Sequence, residues 1–223
     1  VFIHIPPPEI AQIEAETQAS GVRFYKTPDG RKYPSVTTVL GYQSKAGLDQ
    51  WRERVGYDEA LKIGRQAAVR GTKVHSMIEM HLNNELVRIP RSSLLDNIMF
   101  KQMVPILSRI NNIRMQEAGL YSHYLRLAGR VDCVAEFDGV LSIIDFKTSN
   151  SIKKPEWIEN YFMQCAAYAI MWEELTGQPI NRSVVIITVE NEAPQIFIEK
   201  RNPWVKGLLK ARDFFEEHYD AAA

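Results

Sequence analysis

The stretch from Gly129 to Ser149 constrains the fold of this chain most, because it reads as a hairpin that ends in a cluster of charge. It runs Gly-Arg-Val-Asp-Cys-Val-Ala-Glu-Phe-Asp-Gly-Val-Leu-Ser-Ile-Ile-Asp-Phe-Lys-Thr-Ser. Two short apolar runs flank Asp138-Gly139, a dipeptide that favours the positive φ of a tight turn. Side chains alternate faces along a strand, so Asp145 and Lys147 point the same way. Asp132 sits between Val131 and Cys133 in a run that reads as partly buried. An unpaired carboxylate facing the interior carries a substantial desolvation cost, which a metal ion relieves. Two carboxylates and a lysine converging beside a sheet suit metal-assisted phosphodiester hydrolysis.

A hard divalent cation, Mg²⁺ or Mn²⁺, takes oxygen ligands. Asp132 and Asp145 supply them from adjacent strands, and the backbone carbonyl of Phe146 supplies another. Such an ion lowers the pKa of a bound water and neutralises charge on the scissile phosphate. Lys147 then either orients the water or stabilises the developing negative charge; spacing leaves both roles open. An isolated Asp-x-Lys is ordinarily a surface ion pair, and the position of Asp132 is what lifts this one above that reading.

Further candidates lie outside the hairpin. His75 and Glu79 are one helical turn apart in Gly71-Thr-Lys-Val-His-Ser-Met-Ile-Glu79 and share a face. His75 can ligate a divalent metal or hold a phosphate or water. Glu117 is expected at the end of a long helix, just before the strands, as a further metal ligand. Gln164 and Tyr168 form an i to i+4 pair on the helix after the hairpin, able to hydrogen-bond a DNA phosphate or Lys147. Ser35 and Thr37 are candidate phosphate contacts, although capping alone explains Ser35. Arg70, Lys73, Arg126 and Arg130 are candidate backbone contacts. Tyr33, Trp51 and Tyr121 are candidates to stack on bases, with packing the commoner role for such rings.

The 223 residues are 45% hydrophobic and 24% charged, enough for a sizeable core. Formal net charge is zero, which argues against a generally basic nucleic-acid-binding surface. Charge is uneven, however: Arg31 to Lys73 holds nine Lys/Arg against four Asp/Glu. A shaped, locally basic cleft fits that distribution. The two cysteines, Cys133 and Cys165, read as buried free thiols rather than a disulfide scaffold or an iron–sulfur site. No apolar run reaches the roughly 18 residues of a membrane span, and Val1 to Pro8 does not resemble a secretory leader. An intracellular monomer is expected, in a bacterial or phage-infected cytoplasm or a mitochondrial matrix.

The element pattern predicts an α/β protein. Residues 1–34 read as an irregular N-terminal lead-in, set by Pro6, Pro7 and Pro8, with room for a hairpin around Pro28-Asp29-Gly30. Residues 35–223 read as one domain, mainly helical over 35–118 and sheet-containing over 119–223. Ser35 is expected to cap a short helix that Gly41 ends. A long helix is expected over 93–118, with an apolar face of Leu94, Leu95, Ile98, Met99, Met103, Ile106, Leu107 and Ile110 and a stop at Gly119. Strands follow to Thr148, then a helix from Pro155 to about Leu175. Two more strands, Ser183 to Val189 and Gln195 to Glu199, precede a last helix over Pro203 to His218.

In this order the segments resemble the PD-(D/E)XK nuclease superfamily, specifically its RecB-like exonucleases. Pro34-Ser-Val-Thr37 is similar to that group's opening motif, and Gly71, His75 and Glu79 to its helical histidine motif. Glu117 matches the acid ahead of the strands. Gly129, Asp132-Cys-Val-Ala-Glu136 and Ile144-Asp-Phe-Lys-Thr-Ser149 match its catalytic hairpin, and Gln164-x-x-x-Tyr168 its following helix. The resemblance spans roughly Tyr33 to Trp172. It implies a restriction-endonuclease-like core and a Mg²⁺- or Mn²⁺-dependent DNA exonuclease, with single-stranded ends favoured, in replication, repair or recombination, where proteins of those processes are possible partners. His75, Asp132, Asp145 and Lys147 would be its catalytic and metal set. The competing readings are a structure-selective or flap endonuclease, a duplex-end resection exonuclease and a nonenzymatic DNA-binding scaffold. Val131 stands where the superfamily signature begins with proline, and the four-cysteine cluster of some relatives is absent.

Overall fold

The hairpin organises the computed structural model of the chain, which describes residues 1–6, 8–89 and 91–219. Its two strands, β5 (Leu127–Phe137) and β6 (Val140–Ser149), pair antiparallel with Phe137 opposite Val140 and Cys133 opposite Ile144. Asp138 and Gly139 at the turn both adopt positive φ (+52° and +74°), as a two-residue loop matched to strand twist requires. β4 (Ile110–Ser122) adds on one side, and β7 (Arg182–Val189) and β8 (Gln195–Lys200) on the other, giving a five-stranded sheet in the order β4-β5-β6-β7-β8. β6 and β7 run parallel, so a crossover must join them; helix α5 (Glu159–Thr176) supplies it. Gly177 ends α5 in the left-handed conformation at φ +73°.

The two central strands are buried along most of their length, because helices cover both faces of the sheet. Alternation sorts β7 cleanly. Val185 and Ile187 join Phe162, Trp172, Leu208 and Phe215 in a core against α5, the short helix α1 (Val36–Tyr42) and the last helix, α6 (Asn202–His218). Val184 and Ile186 join Val74, Met77, Ile78, Met99, Met103 and Phe137 on the other face. That second core is roofed by α3 (Tyr57–Leu82) and α4 (Leu94–Leu107), with α2 (Lys45–Val55) ahead of them. The architecture is a mixed α/β core with a helical N-terminal region, as the element pattern predicts.

Several expectations need correction. Gly41, expected to end α1, lies inside it, and Gln43 is its C-cap. The long helix over 93–118 ends at Leu107, and β4 begins at Ile110. Ser93 and Asp96 form a reciprocal capping box at the start of α4, while Pro105 near its end removes a backbone donor. From Ile110 onward the chain pairs with β5, beginning with Ile110 opposite Phe137. Glu117 therefore lies within a strand and not at a helix end, and Gly119 sits in the same strand. Leu94 and Ile98, placed on the buried face, are exposed. The N-terminal lead-in, expected to be irregular, carries a three-stranded antiparallel sheet of β1 (Glu14–Thr17), β2 (Arg23–Lys26) and β3 (Lys32–Pro34). The turn around Pro28-Asp29-Gly30 does join β2 and β3. Tyr25 and Tyr33 from this sheet pack on Ala128 of β5.

At Gly129 a side chain of α5 comes close against the sheet backbone. A Cβ there would lie 2.7 Å from Tyr168 Oη and 2.9 Å from its Cε1. Tyr168 is 2% exposed and has nowhere to move. Gly129→Ala is expected to lower stability in urea unfolding by ~1–3 kcal/mol. Gly64→Ala, inside α3 with open space around it, should instead gain up to ~1 kcal/mol.

Candidate active site

The hairpin register puts Asp132 and Asp145 opposite one another, one step beyond the Cys133–Ile144 pair. The ladder does not continue there. Asp132 Oδ2 accepts instead from the Phe146 backbone N–H at 2.8 Å. Asp145 is 1% exposed; its Oδ1 accepts from Gln164 Nε2 at 2.9 Å and its Oδ2 is ion-paired with Lys147 Nζ. Gln164 reaches it from α5, whose apolar contacts with the sheet fix the helix at that height. The ring of Tyr161, one turn earlier, lies 5.0 Å from Lys147 Nζ, a cation–π arrangement.

α3 brings the imidazole. Val74, Met77 and Ile78 are buried against the sheet, which turns His75 towards the strand ends. His75 Nε2 lies 2.7 Å from the Phe146 carbonyl oxygen. Its Nδ1 lies 3.5 Å from Glu117 Oε1 and 3.8 Å from Asp132 Oδ2. Glu117 arrives from β4 in a left-handed backbone conformation, φ +46°. The pairing of β4 with β5 runs through Gln116–Cys133 and resumes at Ala118–Val131, skipping Glu117 and Asp132. A left-handed non-glycine residue costs about 1–2 kcal/mol, and here it breaks the ladder at the residue whose carboxylate joins the site.

The crowding perturbs the ionisable groups. Burial, then the charge of Asp145, pushes the Asp132 carboxyl up to about 6. Burial alone would lower His75, but the Glu117 hydrogen bond and the charge of Asp132 outweigh it, and the imidazole is raised. Burial would lower Lys147 as well; Asp145 and Asp132 beside it reverse the sign and hold it as a cation. Cys133 and Cys165 are both buried, and burial pushes their thiols up, away from the reactive thiolate form.

A cleft of about 420 Å³ opens over these residues, its wall including Ser35, Thr37, Gly129, Arg130, Asp132, Lys147 and Gln164. A second, of about 450 Å³, opens on the α3 side over His75, Glu79, Glu117 and Arg130. Asp132, Asp145, Lys147, His75, Glu117 and the Phe146 carbonyl thus come together. Ser35 caps α1 by accepting from Thr38 N–H, and it also lines the cleft beside Thr37. Gln164 holds Asp145, and Tyr168 forms part of the wall against Gly129. Arg70 is paired with Glu190 and Asn150. Lys73 is held by Asp96 and the Arg91 carbonyl, and Arg126 by Glu216; none of these three lines either cleft. Tyr33 is buried with its hydroxyl on His123, Tyr121 packs edge-on to the same imidazole, and Trp51 is half-buried on α2. Among the lining residues that escaped the sequence reading are Arg23, Tyr25, Asn160 and Tyr161. Asn160 and Tyr161 stand four and three residues before Gln164, so helical periodicity would have found them. Arg23 and Tyr25 depend on the N-terminal sheet folding over β5, which has no local signal.

The sequence profile of the PD-(D/E)XK nuclease superfamily matches residues 96–217, more than half of the chain. The chain belongs to the PD-(D/E)XK nuclease superfamily. The match takes in Glu117, Asp132, Asp145, Lys147 and Gln164, while His75 and Ser35 lie ahead of it. Within the superfamily the chain is homologous to mitochondrial genome maintenance exonuclease 1. It is 25% identical to the human protein over 203 residues and 24% identical to the mouse protein over 213 residues. These alignments take in 82% and 85% of this chain but 58% and 61% of those proteins, so the chain spans about three fifths of its curated relatives' length. A crystal structure from Eubacterium rectale that carries the provisional name of an exonuclease aligns with a TM-score of 0.44 and 19% identity, over 68% of this chain and 65% of that one. No described helix is long and apolar enough to cross a membrane.

A PD-(D/E)XK site holds a divalent cation, and the donor set here fits one. Ligand atoms of His75, Glu117 and Asp132 lie within 4.8 Å of one another. Ligands on opposite sides of a Mg²⁺ ion are about 4.2 Å apart, so a small contraction suffices. Oxygen-rich donors with one imidazole suit Mg²⁺ or Mn²⁺, and a cation relieves the like-charge crowding that raises Asp132. Binding must displace the proton from Asp132 and from a raised His75. The proton on Asp132 is present below about pH 6 and absent above it, so affinity falls as pH drops. Mn²⁺ affinity at pH 5.5 is expected to be on the order of tenfold weaker than at pH 7.5. Calorimetry in buffers of different ionisation enthalpy should show net proton release near pH 6.

Proposed function

We propose that this chain is a Mg²⁺- or Mn²⁺-dependent deoxyribonuclease that degrades single-stranded DNA from an end. The observation that carries the reading is the convergence of His75, Glu117 and Asp132 beside the Asp145–Lys147 pair at the floor of a cleft. The preference for an end is supported by similarity to proteins named as exonucleases. Single-stranded substrate fits a cleft whose lining includes the cations Arg23, Arg130 and Lys147. On the same grounds we place the activity in DNA replication, repair or recombination, carried by a monomer.

His75, Asp132, Asp145 and the Phe146 carbonyl would hold the cation, with Glu117 as a further carboxylate. The bound cation supplies Lewis acidity, lowering the pKa of water and offsetting charge on the phosphate. The chain's own groups do the rest. The Phe146 N–H and Gln164 Nε2 fix the orientation of Asp132 and Asp145, so neither carboxylate must reorganise when substrate arrives. Lys147 stays protonated between these carboxylates, which suits it to stabilise the extra negative charge of the transition state rather than to accept a proton. The Tyr161 ring beside the ammonium favours its charged form by a cation–π contact. Ser35 and Thr37 hydroxyls and the Arg130 guanidinium line the path of the strand. Arg70, Lys73 and Arg126 would serve only by exchanging their present partners for phosphate.

The test is product formation from linear single-stranded DNA labelled separately at its 5′ and 3′ ends, beside a covalently closed circle, with Mg²⁺ or Mn²⁺. The linear strand should be degraded and the circle spared, with activity lost on chelation. Lys147→Ala should lower the rate on the order of 10²–10³-fold. Cutting of the circle would establish an endonuclease instead. Tight DNA binding without cleavage of any form would make the chain a scaffold.

A further inference from the structure

One exposed cation stands directly against the metal-ligating cluster. Arg130 lies on β5 opposite Gly119 of β4, and its side chain is 58% exposed. Its Nε lies 2.8 Å from Glu117 Oε2, while the other oxygen of that carboxylate, Oε1, lies 3.5 Å from His75 Nδ1. Glu117 is therefore divided between the metal-ligating cluster and a surface guanidinium. Arg130 and Glu117 stand together at the junction of three clefts: the one over Lys147, the one over His75, and a third towards the N-terminal sheet, where Arg23 and Tyr25 also stand. A phosphate entering by any of these routes meets Arg130.

We infer that Arg130 is a phosphate-operated latch: by holding Oε2 it keeps the Glu117 carboxylate from closing fully on the cation until a DNA phosphate takes the guanidinium and frees Glu117 for the cluster. The inference rests on the metal-dependent DNA reading above and adds a coupling between substrate and metal. A guanidinium prefers a bidentate anion; Glu117 gives Arg130 one oxygen, through Nε, whereas a phosphate offers it two. The kinked backbone of Glu117 faces its carboxylate to both partners, so the exchange needs a side-chain shift and no change of strand pairing. Coupling of this kind is reciprocal: DNA strengthens metal binding by the factor by which metal strengthens DNA binding. The cation is then held most firmly where there is a phosphate to cut. Arg130 acts through Glu117 and is a positioning residue.

The experiment is Mn²⁺ titration followed by electron paramagnetic resonance on the full chain, with and without a cleavage-resistant phosphorothioate single strand. In the wild-type protein the oligonucleotide is expected to tighten Mn²⁺ binding about fivefold or more. Arg130→Gln should tighten Mn²⁺ binding in the absence of DNA and lose most of the further gain on adding it. Loss of a nearby positive charge would also tighten metal binding generally, so the deciding comparison is a double-mutant cycle with Glu117→Gln. In the Glu117→Gln background the Arg130→Gln effect should vanish. Its persistence there, or an unchanged oligonucleotide effect in Arg130→Gln, overturns the latch. Arg130→Lys, which keeps the charge without the planar fork, should fall between wild type and Arg130→Gln and stands in if the latter does not fold. Wild-type protein that cleaves linear DNA but shows no coupling overturns the latch alone. Protein that binds no Mn²⁺ in any form overturns the metal-dependent reading with it.

Discussion

One hydrogen bond sets the geometry on which the site depends: the Phe146 backbone N–H donating to the Asp132 carboxylate. Within an antiparallel ladder that donor would serve the neighbouring strand's carbonyl. Here it serves a side chain, at the point where the hairpin opens. The same peptide unit's neighbour, the Phe146 carbonyl, meets His75 from α3. A single turn of β6 backbone thus orients the acid of β5 on one side and the imidazole of α3 on the other. Asp145 and Lys147 flank it in sequence and point together to α5. The site needs no flexible loop, since each group stands on a strand or helix packed into one of the two cores.

Three carboxylates, a lysine and an imidazole in so small a volume would be unstable without mutual pairing. The arrangement offsets most of the charge internally. Lys147 neutralises Asp145, His75 stands between Glu117 and Asp132, and Arg130 takes the remaining oxygen of Glu117. Asp132 is the residue left over, and it is the one whose carboxyl is pushed furthest from its ordinary range. That residual imbalance of negative charge is what a divalent cation fits. Below about pH 6 the metal-free form carries a proton there instead.

Sequence made the hairpin legible because the information is local: period-two apolar runs, Asp138-Gly139 between them, and charges at fixed offsets. Crossover helix α5 and strand β7 were legible for the same reason, with Gly177 and Pro179 as punctuation. The end of α4 was not. Ile106, Ile110 and Ile113 fall at i, i+4 and i+7, a helical spacing, yet both Ile110 and Ile113 are buried in strand β4, Ile110 paired with Phe137 of β5 and Ile113 hydrogen-bonded to Ile3 and Ile5. Glu117 was therefore identified as an acid of the site but set on the wrong element. Strand β1 has all four residues exposed, so it carries no alternation to read, and its existence follows from pairing with β2. Arg70, Lys73 and Arg126 were recognisable as cations; their partners Glu190, Asp96 and Glu216 lie 120, 23 and 90 residues away, beyond any local pattern.

The failure at Glu117 has a physical cause that bears on function. Two residues of β4 leave the ladder in a left-handed conformation, Asn112 and Glu117, and Glu117 is the one that reaches His75 and Arg130. A glycine there would relax the backbone but remove the carboxylate, whereas an ordinary strand residue would restore pairing and face Asp132 with a neutral side chain. Evolved proteins concentrate such local inconsistencies where binding requires them. Strain, carboxylate and surface arginine coincide at Glu117, which is why the coupling between phosphate and metal is placed there and not at the more deeply buried Asp145, whose partners Gln164 and Lys147 are already fixed by packing.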